Sequence, residues 1–376
     1  MERESAAKGS RGPDDERFAR LALWSIRGLS SRAISSAAAV WGSAERACLR
    51  PRAALAEALG ANEGTRARLL EAPEDLAAWG RALAEQVAAR GGAFVLRGEE
   101  GYPDLGSLPD PPEALWLRGT LGDGGRIGAG GLPGAVAIVG ARKADPGAIH
   151  LARRLAASLA AADFTVISGG ALGVDAAAHD GALEAGGATV AVLGSGVLRP
   201  LPARNRRLFG RMLAGGGGLA SELPPFEGAR AEHFPRRNRL IAALSRAVVV
   251  VRAAAGSGSL HTARYMKAQG RPVFVVPAPE LGPAAAGGQS LLEEGAIPIR
   301  DAGELLAALR GEPARFTAAG DGEDPVLEAV GLLPASVVEV AHATGLDQDA
   351  VARRLAALCA QGHVRAAGPG RFLRST

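Results

Sequence analysis

The feature that most constrains this chain is the alternation, from Ala93 to Arg310, of short apolar runs with longer amphipathic segments. The apolar runs are rich in β-branched residues and strand-sized, which is typical of strands buried on both faces. They are AVAIVG (135–140), FTVIS (164–168), TVAVLG (189–194), AVVVV (247–251) and PVFVV (272–276). Segments between them, such as GAIHLARRLAASLAAAD, have helical spacing. The pattern predicts an α/β domain over residues 93–310, with an open, Rossmann-like parallel sheet covered by helices on both faces.

Residues 17–90 precede this region and are rich in Ala and Leu. Within them, LALWSIRGLSSRAISSAAAVWG indicates a helix, a short glycine-containing turn and a second helix. We predict a small helical domain of the helix-hairpin-helix (SAM-like) kind, for which contact with nucleic-acid backbone and contact with protein are both open. Residues 1–16 are charged from the start and predict a disordered leader.

The C-terminal residues predict a separate domain. Residues 311–324 are polar and indicate a linker, and residues 325–376 indicate three helices followed by a hairpin with a Gly-Pro tip. This order is that of the winged-helix variant of the helix-turn-helix. The third helix offers only Arg353 and Arg354 to a DNA duplex, so protein contact is as good an expectation as DNA binding.

The composition excludes several classes of protein. The 376 residues, 47% hydrophobic and 22% charged, suit a globular protein of two or three domains. No apolar run is long enough for a transmembrane helix, and the N-terminus does not resemble a signal peptide. Cys48 and Cys359 are far apart in the sequence and indicate neither a disulfide framework nor a metal site. We expect a cytoplasmic protein without contact with a membrane.

Positive charge is concentrated in one segment. Residues 197–246 contain ten arginines and three glutamates. The net charge of this segment, 10 − 3 = +7, is therefore larger than that of the whole chain, +4. Within this segment, FPRRNRLIAALS (234–245) predicts a helix that begins at Pro235. Arg236, Arg237 and Arg239 would then lie in its first turn, where cations oppose the helix dipole. A phosphate backbone over this helix start would explain them, and we expect their removal not to lower stability.

The loops that follow the strands are the expected binding site, because open parallel sheets bind ligands beyond the carboxyl ends of their strands. Arg142 follows the first strand, a Gly-rich loop follows the second, an Arg-rich stretch follows the third, and VRAAAGSGSLHTA follows the fourth. Small residues there let backbone N–H groups approach phosphates. A row of such anion sites along one edge suits a phosphate chain.

Fingerprints of nucleotide cofactors and of catalysis are missing from the sequence. There is neither a Gly-x-Gly-x-x-Gly motif nor a Walker sequence, and GSGVLR runs into prolines instead of a helix. The six histidines are scattered without ligand spacing, and no base is evident for Ser257 or Ser259. We therefore predict no cofactor, no metal and no catalytic residue.

The ordered set of motifs resembles the DNA-processing protein A (DprA, or Smf) family over nearly the whole chain. YPDLGSLPDPPEALWLRGTL, VAIVGAR, ISGGALGVDAAAH, TVAVLGSG, ASELPP, FPRRNRLIAALS and SGSLHTA occur in the family's order. The resemblance implies a homodimer that binds single-stranded DNA and loads the RecA recombinase onto it during natural transformation (competence) and recombination, without a catalytic reaction. The implied nucleic-acid-binding residues are Arg142, Ser168, Gly169, Gly170, Gly173, Arg204, Arg236, Arg237, Asn238, Arg239, Ser257, Gly258, Ser259 and Thr262.

The chain departs from the family pattern at four places. Leu201-Pro202 stands where Tyr-Pro is usual, which removes an aromatic platform for a base. Arg252 stands where Glu is common, and PAP (277–279) follows the last strand where PG is usual. Gly287-Gly288-Gln289 stands where the family has Gly-x-Asn. These departures leave the expected fold unchanged and bear on the contacts to bases.

Two rival functions are consistent with parts of the sequence. One is a nucleotide phosphoribohydrolase on a related fold, but AGSGSLHTARYMK has no carboxylate to serve as its acid or base. The other is a transcription regulator that reads duplex DNA through the winged helix. It would bind sequence-selectively, whereas a row of backbone contacts predicts salt-sensitive binding with little sequence preference.

Overall fold

The computed structural model describes residues 13–119, 134–277, 283–312, 324–331 and 334–375. It begins with six helices, most of them started by a side chain that caps the first turn, as Ser30 and Asp75 do. The helices are α1 (Pro13–Ser25), α2 (Ser31–Trp41), α3 (Ala44–Cys48), α4 (Arg52–Ala58), α5 (Glu63–Glu71) and α6 (Leu76–Ala88). The expected helix, glycine turn and helix are found in α1 and α2.

Helix α1 begins inside the segment predicted to be a disordered leader, so that prediction is wrong for residues 13–16. Pro13 takes the first helical position, and Asp15 and Glu16 in the first turn favour the positive end of the helix dipole. Asp15 also pairs with Arg81 at 3.0 Å, and the Glu16 carboxylate accepts two N–H bonds from the start of α3. The acidic residues thus anchor the helix. Residues 1–12 lie outside the described residues.

A nine-stranded sheet follows, and the predicted Rossmann-like α/β fold is confirmed. Seven strands, from β3 onward, run parallel, and the β1–β2 hairpin adds to the edge antiparallel to β6. The order is β1-β2-β6-β5-β4-β3-β7-β8-β9. The strands are β1 (Gly92–Leu96), β2 (Ala114–Gly119), β3 (Val136–Gly140), β4 (Val166–Ser168), β5 (Thr189–Val192), β6 (Gly218–Ser221), β7 (Ala247–Val251), β8 (Val273–Val275) and β9 (Ile297–Pro298). All five predicted strands are present, and β1, β2, β6 and β9 were not predicted.

Helices cover both faces of the sheet because successive strand residues point to opposite sides. Val249 and Val251 pack against α7, α8 and α13, whereas Val248 and Val250 pack against α10, α11 and α12. The helices are α7 (Pro146–Ala161), α8 (Val174–Glu184), α9 (Arg206–Ala214), α10 (His233–Ala243), α11 (Gly258–Ala268), α12 (Ala286–Glu293) and α13 (Ala302–Arg310).

A third part of the core joins the N-terminal helices to the sheet. Leu21 and Ile34 belong to the same buried cluster as Leu193, Phe209 and Met212. A polar contact reinforces it, since the Trp24 indole N–H donates to the carbonyl of Glu222 at 2.8 Å. The N-terminal helices therefore pack directly on the α/β region, although the predicted boundary near residue 90 does fall between α6 and β1.

The C-terminal residues form a small unit with its own buried cluster around Val340 and Leu355. Its elements are α14 (Pro325–Ala329), β10 (Ala335–Ser336), α15 (Val337–Thr344), α16 (Gln348–Ala360), β11 (Val364–Ala366) and β12 (Arg371–Arg374), with sheet order β10-β12-β11. Three helices and a hairpin occur in the expected order. That the unit works as a winged helix stays a prediction, and most of the expected linker lies outside the described residues.

The C-terminal unit touches the α/β region at α7. A Cβ on Gly147 would come within 2.3 Å of Pro334, so the two segments are in close contact. One turn further on, the guanidinium of Arg365 donates to Nε2 of His150 at 2.9 Å. No helix in the described part of the chain is both long and apolar enough to cross a bilayer.

Candidate nucleic-acid interface

The direction of the chain reverses between two neighbouring strands. From β3 the chain proceeds to β4, β5 and β6 on one side, and then returns to β7, β8 and β9 on the other. At such a switch point the loops after the two strands diverge and leave a crevice at the carboxyl ends. A groove of about 700 Å³ occupies this place, lined by residues after β3, β4 and β7 and by the starts of α10 and α11.

One wall of the groove is the start of α11. Ser257 caps this helix, its hydroxyl accepting from the N–H of Ser259 and lying 2.8 Å from the hydroxyl of Ser259. Gly258 is exposed, and an added Cβ would meet nothing within 4 Å. Thr262 is 1% exposed, and its hydroxyl has no hydrogen-bond partner among the described residues. The wall offers helix N–H groups and hydroxyls, which is the donor set that anions bind.

The opposite wall carries two exposed cations, Arg142 and Lys143, directly after β3. The guanidinium of Arg142 lies over the ring of Phe234, 4.7 Å from its centroid. This stacking holds the planar group in place while its N–H edges stay open. Neither cation has an ion-pair partner within the described ranges, so both are available to an external anion.

The Gly-rich loop after β4 lies at the floor of the groove, which it lines only through Ala171. The predicted residues Ser168, Gly169, Gly170 and Gly173 do not line the groove themselves. Ser168 is fully buried, and its hydroxyl donates to the carbonyl of Ile138 at 2.6 Å. A Cβ on Gly169 would lie 2.4 Å from the guanidinium of Arg237, and one on Gly173, where φ is +82°, would lie 2.3 Å from a carbonyl oxygen. Gly170 also has a positive φ, +66°. These residues let the loop pack tightly, and Ser168 has a structural bond instead of an open hydroxyl.

Arg237 lies beneath this loop and is 5% exposed. Its guanidinium donates to the carbonyls of Gly169 and Val192, and its Nε–H donates to the side chain of Asn238 at 3.0 Å. Burial lowers the pKa of Arg237 to about 10, partly offset by the charge of Asp175. Burial has the opposite effect on an acid and raises the pKa of Asp175, and Arg237 and the N–H groups of the loop partly offset this rise. Arg237 is thus a buried support of the floor that adds positive potential from below.

Asn238 connects the groove walls. Its amide oxygen accepts from Arg237, and its amide NH₂ donates to the carbonyl of Gly258 at 2.9 Å. This bond fixes the start of α11 relative to α10. We therefore assign Asn238 a positioning role, with its side chain committed on both ends.

Arg236 and Arg239 lie away from the groove, and the predicted start of their helix is wrong. Helix α10 begins at His233, so the helix starts two residues before Pro235. Both arginines form ion pairs with Glu222, which is 4% exposed, and Arg239 also donates to the carbonyl of Asp110 at 2.7 Å. Their negative partner is internal. The reason for expecting that their removal would not lower stability therefore no longer holds.

Arg204 lies on a 3₁₀ turn (Ala203–Asn205) beside the floor. The Asn205 side chain donates to the carbonyls of Gly170 and Ala171, at 2.9 and 3.1 Å, and so holds the turn against the Gly-rich loop. Arg204 is exposed and has no ion-pair partner in the part of the chain that the structure describes. The turn extends the cationic surface beyond the groove.

Of the four departures from the family pattern, PAP (277–279) lies mostly outside the described residues, and the other three have separate positions. Arg252, which stands where the family has an acidic residue, donates to the Asp145 carboxylate at 2.9 Å. Asp145 is the N-cap residue of α7, so the charge of Arg252 is neutralised within the protein. The backbone N–H of Leu201 donates to the Ser195 hydroxyl at 3.2 Å. Gln289 donates to Glu293, one turn along α12. None of these three side chains lines the groove.

Four polar or aromatic side chains that line the groove were not predicted: Lys143, Asp175, Phe234 and His261. Each stands next to, or within, a motif that the sequence analysis singled out. Their positions, at the carboxyl end of a strand or at the start of a helix, are the signal from which the sequence could have predicted these four residues. Within the described ranges, no three His, Cys, Asp or Glu side chains cluster as a metal ion requires.

The fold and the groove define the class: a Rossmann-like α/β protein with a basic, donor-lined groove at the switch point of its sheet. Within it, the chain belongs to the DNA recombination-mediator protein A family, whose model matches residues 93–310. The chain is 36% identical to a putative DNA processing protein DprA of Mycobacterium tuberculosis over 311 residues, 77% of this chain and 76% of that protein. It is 38% identical to the Smf protein of Escherichia coli over 208 residues, 55% of this chain and 54% of that protein.

Two solved structures of the same family share the fold. DNA processing protein A from Streptococcus pneumoniae superposes with a TM-score of 0.61 at 26% identity, covering 78% of this chain and 97% of that one. The protein from Helicobacter pylori superposes with a TM-score of 0.50 at 29% identity, covering 58% and 96%. The latter structure describes a single-stranded DNA binding mode of that protein.

Proposed function

We propose that the groove at the β3–β7 switch point binds the backbone of single-stranded DNA. The observation that carries this proposal is the set of donors around one crevice: the exposed Arg142 and Lys143 on one wall, and the start of α11 at the exposed Gly258 on the other, with the buried, unpartnered Thr262 hydroxyl behind it. Phosphates are the ligands that such donors bind. The single-stranded DNA binding described for the Helicobacter pylori relative supports the choice of polynucleotide.

The arrangement favours a single strand over a duplex. The described donors are guanidinium, ammonium, hydroxyl and backbone N–H groups at the carboxyl ends of the strands, a set that suits backbone phosphates better than base edges in a major groove. Contacts of this kind follow the backbone and give strong salt dependence with little sequence preference. A C-terminal unit that worked as a winged helix would instead predict binding to a duplex.

We further propose that the bound strand is passed to the RecA recombinase and that the protein acts as a homodimer. Both proposals rest on membership of the family. Catalysis is no part of the proposal, because the one carboxylate among the described residues that line the groove, Asp175, is 7% exposed and accepts from N–H groups of the floor. A phosphoribohydrolase would need a carboxylate open to the ribose.

The experiment compares fluorescence anisotropy of single-stranded and duplex oligonucleotides of equal length, at several salt concentrations. We expect the single strand to bind more tightly, and a chain truncated after residue 312 to retain most of that affinity. If the protein instead preferred a duplex of specific sequence and lost this preference on truncation, the proposal would be wrong. The function would then be that of a transcription regulator that reads duplex DNA through its C-terminal unit. Addition of RecA to strands coated with a single-strand-binding protein then tests loading, measured as the rate of filament formation.

A further inference from the structure

A second cleft, of about 520 Å³, lies between α6 and the loop that connects β6 to α10. Trp79 and Leu83 of α6 form one side, and Pro224 to Arg230 form the other. None of the sequence motifs led us to expect a site here, because the two sides are far apart in the chain. The cleft exists only because the N-terminal helices pack on the α/β region.

Phe226 gives the cleft an open aromatic surface. Its side chain is 44% exposed, whereas most large apolar side chains of this region are buried. The guanidinium of Arg90 lies 5.8 Å from the ring centroid. Exposed aromatic rings next to arginines are how proteins hold the bases of single-stranded nucleic acids, since every base has a face that stacks.

The loop that carries Phe226 is held firmly. Its backbone accepts from Gly196 and Leu198 at 2.8 and 2.9 Å, and a Cβ on Gly196 would come within 2.2 Å of two of its carbonyl oxygens. A ring on a fixed loop loses little conformational freedom when a ligand stacks on it. The platform is therefore ready before any strand arrives.

The charges around the cleft favour a phosphate-bearing ligand. Arg199 and Arg230 line it, and Arg27 approaches from the end of α1 to within 3.8 Å of Glu227. Glu227 also pairs with Arg230 at 3.5 Å. Arg199 has no ion-pair partner in the described ranges. The three arginines thus outnumber the single acid, Glu227. A phosphate could bind in the cleft by replacing Glu227 as the partner of one of these arginines.

The cleft and the groove are lined by residues that are adjacent in the sequence. Arg230 lines the cleft, and the next residue, Ala231, lines the groove together with Phe234. Because consecutive residues line the two sites, a strand that passes over residues 230 and 231 would contact both. Phe226 is an aromatic platform of the kind that the sequence lacks at Leu201.

We propose that the Phe226 cleft is a base-binding subsite for the same single strand, in which one unstacked base lies on Phe226 and its neighbouring phosphate contacts Arg199. The proposal rests on the proposed function of the groove and extends it to the N-terminal helices. A strand must be long enough to fill the groove before it reaches the cleft.

The test uses anisotropy with thymidine oligomers of about 4 and about 16 nucleotides, lengths that bracket the site sizes of single-strand-binding OB folds. A third probe is a long oligomer whose terminal half is abasic. Phe226→Ala should weaken binding of the long thymidine strand by roughly 5- to 150-fold, the usual effect of removing the aromatic partner of one stacked base. It should leave the short strand, the half-abasic strand and the salt dependence unchanged.

Matched variants separate the outcomes. Tyr265→Ala removes an aromatic side chain that is 37% exposed and outside both sites, so it should change nothing. Arg199→Ala should flatten the salt dependence for the long strand alone. Equal effects of Phe226→Ala on thymidine and half-abasic strands, or no effect at all, would overturn this proposal while groove binding stands. Failure of the unaltered protein to bind any strand would instead overturn the proposed function, and this proposal with it.

Discussion

Arg239 and Glu222 form an ion pair in which the two side chains are only 10% and 4% exposed. Arg236 approaches the same carboxylate from the surface, at 3.4 Å. Because one buried acid serves two arginines, this cluster joins α10 to the end of β6 and to the N-terminal helices that pack there. A segment whose charge pointed towards DNA is in part an internal support.

Arg239→Ala should destabilise the protein by about 3–5 kcal/mol, because it leaves the Glu222 carboxylate buried without its closest partner. Thermal or urea unfolding measures this change. The double variant with Glu222→Gln is the control and should recover much of the stability, since no buried charge then remains. A single variant as stable as the unaltered protein would show that the pair is dispensable.

The same variant should show a pH dependence of definite sign. Burial raises the pKa of Glu222 above its usual range, and Arg239 and Arg236 partly counteract that shift. Since the folded state holds the proton more tightly than the unfolded state, stability from this group is present at low pH and is lost as pH rises through the folded pKa. Arg239→Ala removes a counteracting charge, so its destabilisation should be smaller at pH 5 than at pH 8. An equal destabilisation at both values would contradict this account.

Arg142→Ala should weaken binding of single strands of any sequence, because it removes an unpaired cation from the groove wall. The slope of log K against log salt should flatten by roughly 0.7, the value for one phosphate that is no longer neutralised. Arg310→Ala is a matched control: Arg310 is exposed, and the carbonyl of its neighbour Leu309 accepts from Arg246 just before β7, at the opposite edge of the sheet. Equal effects of the two variants would mean that Arg142 acts only through net charge.

Gly258→Ala tests whether a ligand approaches the start of α11. The added Cβ meets no protein atom within 4 Å, and alanine favours a helix over glycine, so stability should hold or rise by up to about 1 kcal/mol. Affinity for single strands should fall, because the methyl group stands where a phosphate would approach the N–H groups. Gly64→Ala, also in the first turn of a helix, is the control and should leave affinity unchanged. Unchanged affinity for Gly258→Ala would place the strand elsewhere.

Docking of the C-terminal unit on α7 should depend on pH. Burial lowers the pKa of His150, and the neighbouring Arg365, Arg154 and Arg153 lower it further. Because only neutral His150 can accept from Arg365, the docked form is favoured above the usual histidine pKa and is lost as pH falls. Small-angle scattering should show a larger radius of gyration at pH 5 than at pH 8. His150→Gln, which keeps an acceptor without a titration, should remove most of that difference.

The parts of the fold that the sequence predicted share a physical reason. Strands β3, β4, β5, β7 and β8 are buried on both faces, so they are continuous apolar runs that stand out from the helices. Strand β6 is four residues with a glycine at its start, and β9 is two residues, so neither has enough apolar length to be recognised. The start of α1 was missed because its acidic first turn has the composition of a solvated leader.

The candidate site was predictable in position but only in part in detail. The ends of parallel strands meet at one edge, which brought Arg142, Gly258 and the Gly-rich loop together as expected. Whether an arginine faces solvent depends on counter-charges distant in the sequence. Asp175 lies far upstream of Arg237, and Glu222 follows a different strand from the one that Arg239 precedes. The sequence order alone does not show such pairings.

The buried cluster that joins Leu21 and Ile34 to Phe209 and Met212 has a consequence for how this protein unfolds. Side chains from both sides of the boundary near residue 90 exclude water from the same space, so neither side keeps this part of its core without the other. The N-terminal helices and the sheet should therefore melt in one cooperative transition, not as two modules. The N-terminal helices therefore cannot be replaced by an unrelated helical domain, either in evolution or in engineering. A replacement would need side chains that fit the surface of the α/β region that these helices cover.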